Sequence, residues 1–395
     1  MRVRLPVGQH LGGNFYECRA MNGPPELPDF IEPDAPRWRR WWLGLVLLWG
    51  VQSAVLLLVW PKEQPRQELW LWSAVLPLCW ALILAVRWVA WQIELFNRTV
   101  YLRTRETAMQ RWWQWRSLGL PVQDVLLLGP SGDVQTAYRN LMKNTPLSKP
   151  LAPPGATHLM LRCPLSISAL TERAPALARH LARLTLALPG LVEGWSQLRA
   201  IAWAGDASSQ AAFVEALARA GVVLPEARLP LQHLTDLDDL IDTFHRDCRG
   251  EDDWLLCAGV VSVESADNSD LPGEAGFLWR VNRQGRQLLH RGEYQAGEAS
   301  TELCSQIQRY AGLEAPPTTC LALDKTSQAV FVEGGWSAVE HQLDGQWGVL
   351  AHLAPFIGMS LALLQAGEAG QPCGWLSQDA DKRLAIGVAV PHGKS

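Results

Sequence analysis

The run Asp253-Trp254-Leu255-Leu256-Cys257-Ala258-Gly259-Val260-Val261-Ser262 is followed, across a loop, by Gly273-Glu274-Ala275-Gly276-Phe277-Leu278-Trp279-Arg280-Val281. From Trp254 to Val263 the first run is apolar without alternation, the pattern of a central strand covered on both faces. Asn268 to Gly276 reads as a loop, and Phe277 to Asn282 as the next strand. Gly273 and Gly276 let the backbone pass closely where two central strands meet, and Glu274 is placed to cap that loop through hydrogen bonds. A strand with two buried faces needs layers on both sides, which points to a layered α/β fold.

The flanking sequence supports this. Before the run come a strand at His158 to Cys163, a helix at Ala174 to Leu186, a strand at Leu198 to Trp203 and helices at Ser208 to Ala220 and Asp236 to Arg249. The last has acidic residues in its first turns and His245 and Arg246 near its end, as the helix dipole favours. After it come a helix at Thr301 to Ala311, a strand at Thr319 to Leu323, a short helix around Trp336 to Leu343 and a long apolar helix at His352 to Gln365. Strands at Gly374 to Ser377 and Leu384 to Val390 close the chain. The order repeats, which predicts two similar halves related at the level of fold. Val122 to Leu128, the turn Gly129 to Asp133 and a helical pattern over Val134 to Lys143 imitate a phosphate loop. The Gly-Lys-Ser/Thr that holds phosphate is missing, so Ser131 or Asp133 serves as an ordinary helix cap. A Pro-rich link follows, Pro146 to Pro154.

The two opening runs resemble the β-ketoacyl synthase branch of the thiolase-like proteins, in which a buried strand leads to a Gly-Glu-Gly-Ala-Gly loop and another strand. Gln346-Trp347-Gly348-Val349-Leu350-Ala351-His352, followed by Leu353 to Gln365, is similar to the synthase motif in which a Gly-His pair opens an Ala/Gly-rich helix. Ala385-Ile386-Gly387-Val388-Ala389-Val390 resembles the last core strand. The resemblance spans about Ala156 to Pro391 and implies a layered α-β-α-β-α domain. It also implies a nucleophilic cysteine just ahead of the helix at Asp236 to Arg249, where this chain has Leu229-Pro230-Leu231-Gln232-His233-Leu234-Thr235. The first synthase histidine corresponds to Leu321-Ala322-Leu323-Asp324-Lys325-Thr326-Ser327. Only His352 keeps a place like that of the second. Without a thiolate there is no acyl-enzyme, so condensation by that route is not expected. His352 and His233 are the remaining catalytic candidates, His233 with Asp236 or Asp238 as orienting partner. His352 equally suits a buried helix start, and His233 a solvent-facing one.

Ahead of the domain, Trp41 to Trp60 and Leu69 to Ala90 are two apolar runs of about 20 residues, each able to span a ~30 Å hydrocarbon layer. Trp38, Trp41, Trp42 and Trp60 flank the first, and Trp70, Trp72, Trp88 and Trp91 the second, as interfacial residues do. Neither run has a polar stripe. Arg37, Arg39 and Arg40 precede the hairpin; Arg87, Arg98, Arg103, Arg105, Arg111 and Arg116 close or follow it; the connecting loop has only Lys62 and Arg66. The positive-inside rule then puts both termini, and the large domain, in the cytoplasm, with a two-pass anchor in the membrane; that this is a bacterial inner membrane is what a resemblance to type VI secretion proteins implies. Arg87 can snorkel to the headgroups. Trp112, Trp113 and Trp115 suit an interfacial segment or a face docked on the domain.

The expected organisation is a flexible tail over 1–36, broken by Pro24, Pro25, Pro28, Pro33 and Pro36, a hairpin and juxtamembrane segment over 37–116, and a thiolase-like domain over 117–395. No basic start with an apolar segment marks a secretory signal before the hairpin. The net charge of −4 gives no electrostatic basis for nucleic-acid binding. Eight scattered cysteines without a C-x-x-C pair read as reduced, mostly buried side chains. His245, Asp247, Cys248 and Cys257 fit no zinc spacing, so no metal and no cofactor are expected. The partners expected are the lipid bilayer and another protein, and a homodimer is compatible with the same reading. Membrane-tethered thiolase-like proteins of this kind resemble those in type VI secretion gene clusters, which implies a chemically inactive adaptor that holds or loads an effector. Two alternatives stand beside it: a membrane-associated acyl-transfer enzyme using His352, and an immunity protein against a membrane-active toxin.

Overall fold

A computed structural model describes residues 27–59, 61, 66–133, 149–152, 159–166, 169–189, 194–266, 270–295, 300–323, 328–336 and 341–393. The helix expected over 134–143, most of the Pro-rich link, Lys62 in the hairpin loop and Asp324 to Ser327 lie outside these residues. The chain forms two compact units, Met1–Trp113 and Gln114–Ser395.

In the first unit, α1 (Trp38–Val59) is 22 residues long, or about 33 Å, and α2 (Arg66–Arg116) has 51 residues. Both are long and apolar enough to cross a membrane. They run antiparallel: the Trp41 and Trp80 rings lie 5.0 Å apart, Trp80 Nε1 donates to the Trp41 carbonyl, and Gln52 Nε2 donates to the Trp72 carbonyl. Trp41 therefore packs against the partner helix, whereas Trp42 and Trp88 stay exposed. Trp91 and Arg87 are partly covered, and Arg39 and Arg40 are exposed in the first turn of α1, just after Arg37.

The second unit is built from a repeated order. The first half contains β1 (Leu120–Gly129), α3 (Arg173–Leu186), β2 (Leu198–Ala204), α4 (Ala207–Arg219), β3 (Arg228–Pro230), α5 (Leu234–Asp247), β4 (Trp254–Ser262) and β5 (Glu274–Asn282). The second contains β6 (Gln287–Leu289), α6 (Ser300–Tyr310), β7 (Thr319–Ala322), α7 (Gln328–Glu333), β8 (His341–Gln342), α8 (Ala354–Ala369), β9 (Cys373–Gln378) and β10 (Leu384–Pro391). The strands pair in the path β8-β7-β9-β10-β6-β1-β5-β4-β2-β3. Numbered within its half, each set of five follows the order 3-2-4-5-1, with strand 5 antiparallel to its neighbours and strands 2, 3 and 4 parallel. The halves join where β1 and β6 pair antiparallel, Leu120 opposite Leu289 and Val122 opposite Gln287.

Alternation along the strands builds the layers. In β4, Leu255 and Cys257 face one core while Leu256 and Ala258 face another. The first of these cores holds α5 (Leu237, Leu240, Ile241, Phe244) and α8 (Phe356, Ile357, Met359, Leu361) between the two halves of the sheet. Helices α3 and α4 cover the outer face of the first half through Leu177, Leu181, Phe213 and Leu217; α6 and α7 cover that of the second through Ile307 and Phe331. The result is the α-β-α-β-α arrangement of two similar halves.

Strand β5 begins at Glu274, three residues ahead of Phe277, so Glu274 and Gly276 lie in a strand and not in the expected loop. The reason is the long antiparallel register with β4, which continues until Ser262 lies opposite Glu274. Glu274 does not cap a loop there. Its carboxylate is fully buried and accepts from Arg173 Nε at 2.8 Å, Ser262 Oγ at 3.0 Å and the Cys163 backbone N–H at 2.9 Å, while Arg173 also donates to the Cys163 carbonyl. The helix expected around Trp336 to Leu343 is replaced at His341–Gln342 by β8, which pairs with Leu321 and Ala322. Substituting Glu274→Ala leaves the Arg173 guanidinium buried without its counter-charge. Urea denaturation of the purified chain is expected to show a loss of ~3–5 kcal/mol, where a loss below about 1 kcal/mol would contradict this role.

Candidate functional site

Strands β2, β3 and β4 run parallel, so the turns after β2 and β3 open at one edge of the sheet. The two turns are tied together: Gln232 Nε2 donates to the Gly205 carbonyl at 3.0 Å, and the Leu231 N–H to the Trp203 carbonyl at 3.1 Å. Asp206 caps α4 by accepting from the Ser209 N–H at 2.6 Å and Ser208 Oγ at 3.1 Å. At α5, Asp236 reaches back and accepts from the Gln232 and His233 N–H groups at 2.7 and 2.9 Å, fixing the elbow. Leu234 N–H donates to the Tyr294 hydroxyl. His233 thus sits at the N-cap of α5, its side chain exposed. Neither proposed orienting partner is turned to its imidazole: Asp236 holds the elbow backbone, and Asp238 pairs with Arg116 and Arg291.

His352 reaches the same edge from the other half. It lies in the single turn Ala351–Leu353 that leads into α8, so His233 and His352 hold equivalent places, each just ahead of an inner helix. The approach to this turn depends on two glycines. Gly273 passes so close to the Trp347 carbonyl that an added Cβ would meet it at 2.0 Å, and Gly348 adopts φ 67°. Reciprocal bonds from Gly273 N–H to the Val349 carbonyl (3.1 Å) and from Val349 N–H to the Leu271 carbonyl (2.8 Å) lash the two segments together. Ala351 takes φ 46°, a conformation costly for a residue with a Cβ. Gly273 therefore positions the turn bearing His352, while Gly276 packs under Val260.

Electrostatics link the three groups. Burial pushes the His352 imidazole below its ordinary value; the Asp206 carboxylate partly offsets this, and His233 adds to the depression. Against the upward push of its own partial burial, hydrogen bonds from Ser209 and Ser208 and the proximity of His352 hold Asp206 below the usual carboxylate value. His352 Nε2 is enclosed and has no hydrogen-bond partner among the described residues. Asp206 was not among the residues singled out by sequence; the signal that marks it is a Gly-Asp-x-Ser-Ser cap directly after a strand.

The cysteines lie elsewhere. Cys163, Cys248, Cys257, Cys304 and Cys373 are buried, and loss of hydration pushes their thiols up, to about 12 for Cys248 and Cys304. His245 meets the Gly119 carbonyl through Nε2, and among the described residues no three metal-binding side chains gather. A second charged centre sits at the end of α2. Arg116 pairs with Asp238 and Glu293, Arg291 pairs with Asp242, Trp115 Nε1 donates to Asp242 at 2.8 Å, and Tyr310 donates to Glu293 at 2.9 Å.

The Asp206, His233 and His352 grouping makes a titration prediction. In histidine NMR titrations, His352 is expected to lose its proton below pH 6.5. Asp206→Asn should lower its midpoint further and His233→Ala should raise it; an unmoved midpoint in both variants would separate the groups.

No protein-family model matches the sequence. No curated protein matches it. Among solved structures, the chain is similar to the ishigamide ketosynthase/chain length factor, at TM-score 0.50 and 14% identity over 70% of this chain and 100% of that one. A ketosynthase from module 6 of the bacillaene synthase of Bacillus subtilis aligns at TM-score 0.49 and 9% identity over 70% and 72%. A Streptomyces albus oxazolomycin ketosynthase domain aligns at 0.45 and 12% over 70% and 96%. At such identities the likeness concerns the fold alone: the chain has a thiolase-like fold of the ketosynthase kind.

Proposed function

We propose that this chain is a membrane-anchored, chemically inactive thiolase-like scaffold that binds another protein. One observation carries the reading. The elbow ahead of α5, where a synthase has its nucleophilic cysteine, presents His233, and the cysteines at Cys163, Cys248, Cys257, Cys304 and Cys373 are buried with raised thiol pKa values. A thiol held protonated inside a core is neither a nucleophile nor accessible to a carrier-bound acyl group. The anchor is the α1–α2 hairpin, which in this reading crosses the bacterial inner membrane twice with both termini and the large domain in the cytoplasm. The partner put forward is a component or effector of a type VI secretion system, with a loading or holding role; this rests on the sequence resemblance.

One feature favours a second reading. The enclosed His352 Nε2, unpartnered among the described residues and near Asp206 and His233, is an arrangement an acyl-transfer enzyme could use for proton transfer. Incubating the purified protein with radiolabelled acyl- and malonyl-carrier proteins and with the matching coenzyme A esters separates the two. The scaffold reading expects neither covalent label nor product, and label that disappears in His352→Ala or His233→Ala would replace it with the enzyme. Affinity capture from detergent extracts of native cells tests the partner, and recovery without any secretion-system component would sink the type VI assignment.

A further inference from the structure

Residues 28–32, Pro28-Asp29-Phe30-Ile31-Glu32, lie along α2 within the first unit, and four contacts hold them. Tyr101 Oη donates to the Pro28 carbonyl at 2.6 Å, and Arg105 pairs with Asp29 at 2.8 Å. The Phe30 ring lies 5.6 Å from that of Tyr101, and Arg98 pairs with Glu32 at 3.0 Å. Arg98, Tyr101 and Arg105 are spaced i, i+3 and i+7, so they share one face of the helix. The spacing matches: three extended residues from Asp29 to Glu32 cover ~10 Å, and seven helical residues from Arg98 to Arg105 cover ~10.5 Å. The segment runs antiparallel to α2, continuing the course of α1. Sequence alone placed these residues in a flexible tail. The contacts make them a strap.

We infer that this acidic strap is a built-in competitor for anionic lipid headgroups at the Arg98–Arg105 face of α2. The inference rests on the hairpin crossing a bilayer. Arg98 lies seven residues beyond Trp91, ~10 Å along the helix axis, which is about one Debye length past the aromatic flank of the span. A negatively charged leaflet attracts an arginine at its surface by roughly five-fold in equilibrium terms and one Debye length out by roughly two-fold, which is within the range of a solvent-exposed ion pair. Asp29 and Glu32 are largely exposed, 91% and 74% by side chain, so their pairs are of this weak class. The two attractions are therefore matched in size. In a neutral bilayer the carboxylates neutralise the arginine face and hold the strap; in an anionic bilayer the net negative charge of the headgroups takes over the arginines and the strap leaves. Arg98 is nearer the bilayer than Arg105, so the Glu32 end opens first.

Ile31 is 88% exposed and Leu102 lies on the helix beside the strap, at 42% exposure, so both accept a probe. Spin labels at Ile31→Cys and Leu102→Cys, in full-length protein with Cys18→Ser and Cys79→Ser, report the docked distance by pulsed electron paramagnetic resonance. The protein is placed in nanodiscs of phosphatidylcholine alone and with about one third phosphatidylglycerol. A narrow, short distance in the neutral discs is expected, with the docked population falling roughly two-fold in the anionic ones. Asp29→Asn with Glu32→Gln should give the broad distribution in both. An equal docked population in the two lipid mixtures, or a docked strap in the double variant, overturns the inference. Co-purification with the discs is scored separately: protein that does not enter them overturns the membrane reading on which the strap's lipid partner depends.

Discussion

Helix α8 has no polar face. Phe356, Ile357, Met359, Leu361, Ala362 and Leu363 are buried around its full circumference, and a helix of that kind can exist only with apolar material on every side. That demand is met by placing α5 beside it and half of the sheet above and below. Around these two helices each half supplies three strands ahead of its inner helix and two after it, which is the order found twice. The one fully buried polar side chain of the helix, Ser360, accepts from Trp279 Nε1 and donates to the Phe356 carbonyl, so its hydroxyl is satisfied. The site follows from the same demand. Both inner helices begin at one edge, and the residues just ahead of them, His233 and His352, are brought within electrostatic reach although 119 positions separate them in sequence.

Elements buried on two faces were legible because burial writes itself as an unbroken apolar run. Trp254–Ser262 and the α8 segment were found for this reason. The strand Arg228–Pro230 was not: it is three residues long, includes a proline, is only partly covered, and exists through pairing with β2. Gln287–Leu289 was missed on the same ground, since its identity as a strand comes from β1 and β10. Glu274 was noticed as a charged residue among glycines, but its role was read locally as a loop cap. Its partners Arg173 and Cys163 are 101 and 111 residues away, and no short pattern announces a buried ion pair at that distance.

The site was legible to the same degree. Its two histidines stood out because each immediately precedes an inner helix. Asp206 did not, since an acidic residue before an amphipathic helix is first of all a cap, which here it also is. The prolines of the N-terminal tail argued against helix but carried no information on docking. That depended on two carboxylates and one aromatic ring meeting a face of α2 some 70 residues later.

The ionic centre at Arg116 bears on how the protein is made. Arg116 closes a helix that a ribosome completes early, while its partners Asp238 and Glu293 lie 122 and 177 residues downstream. At a synthesis rate of ~5–20 residues per second, the guanidinium waits roughly 10–35 s before Glu293 emerges. The last turn of α2 is thus sealed late, after both inner-helix carboxylates and the start of the second half exist.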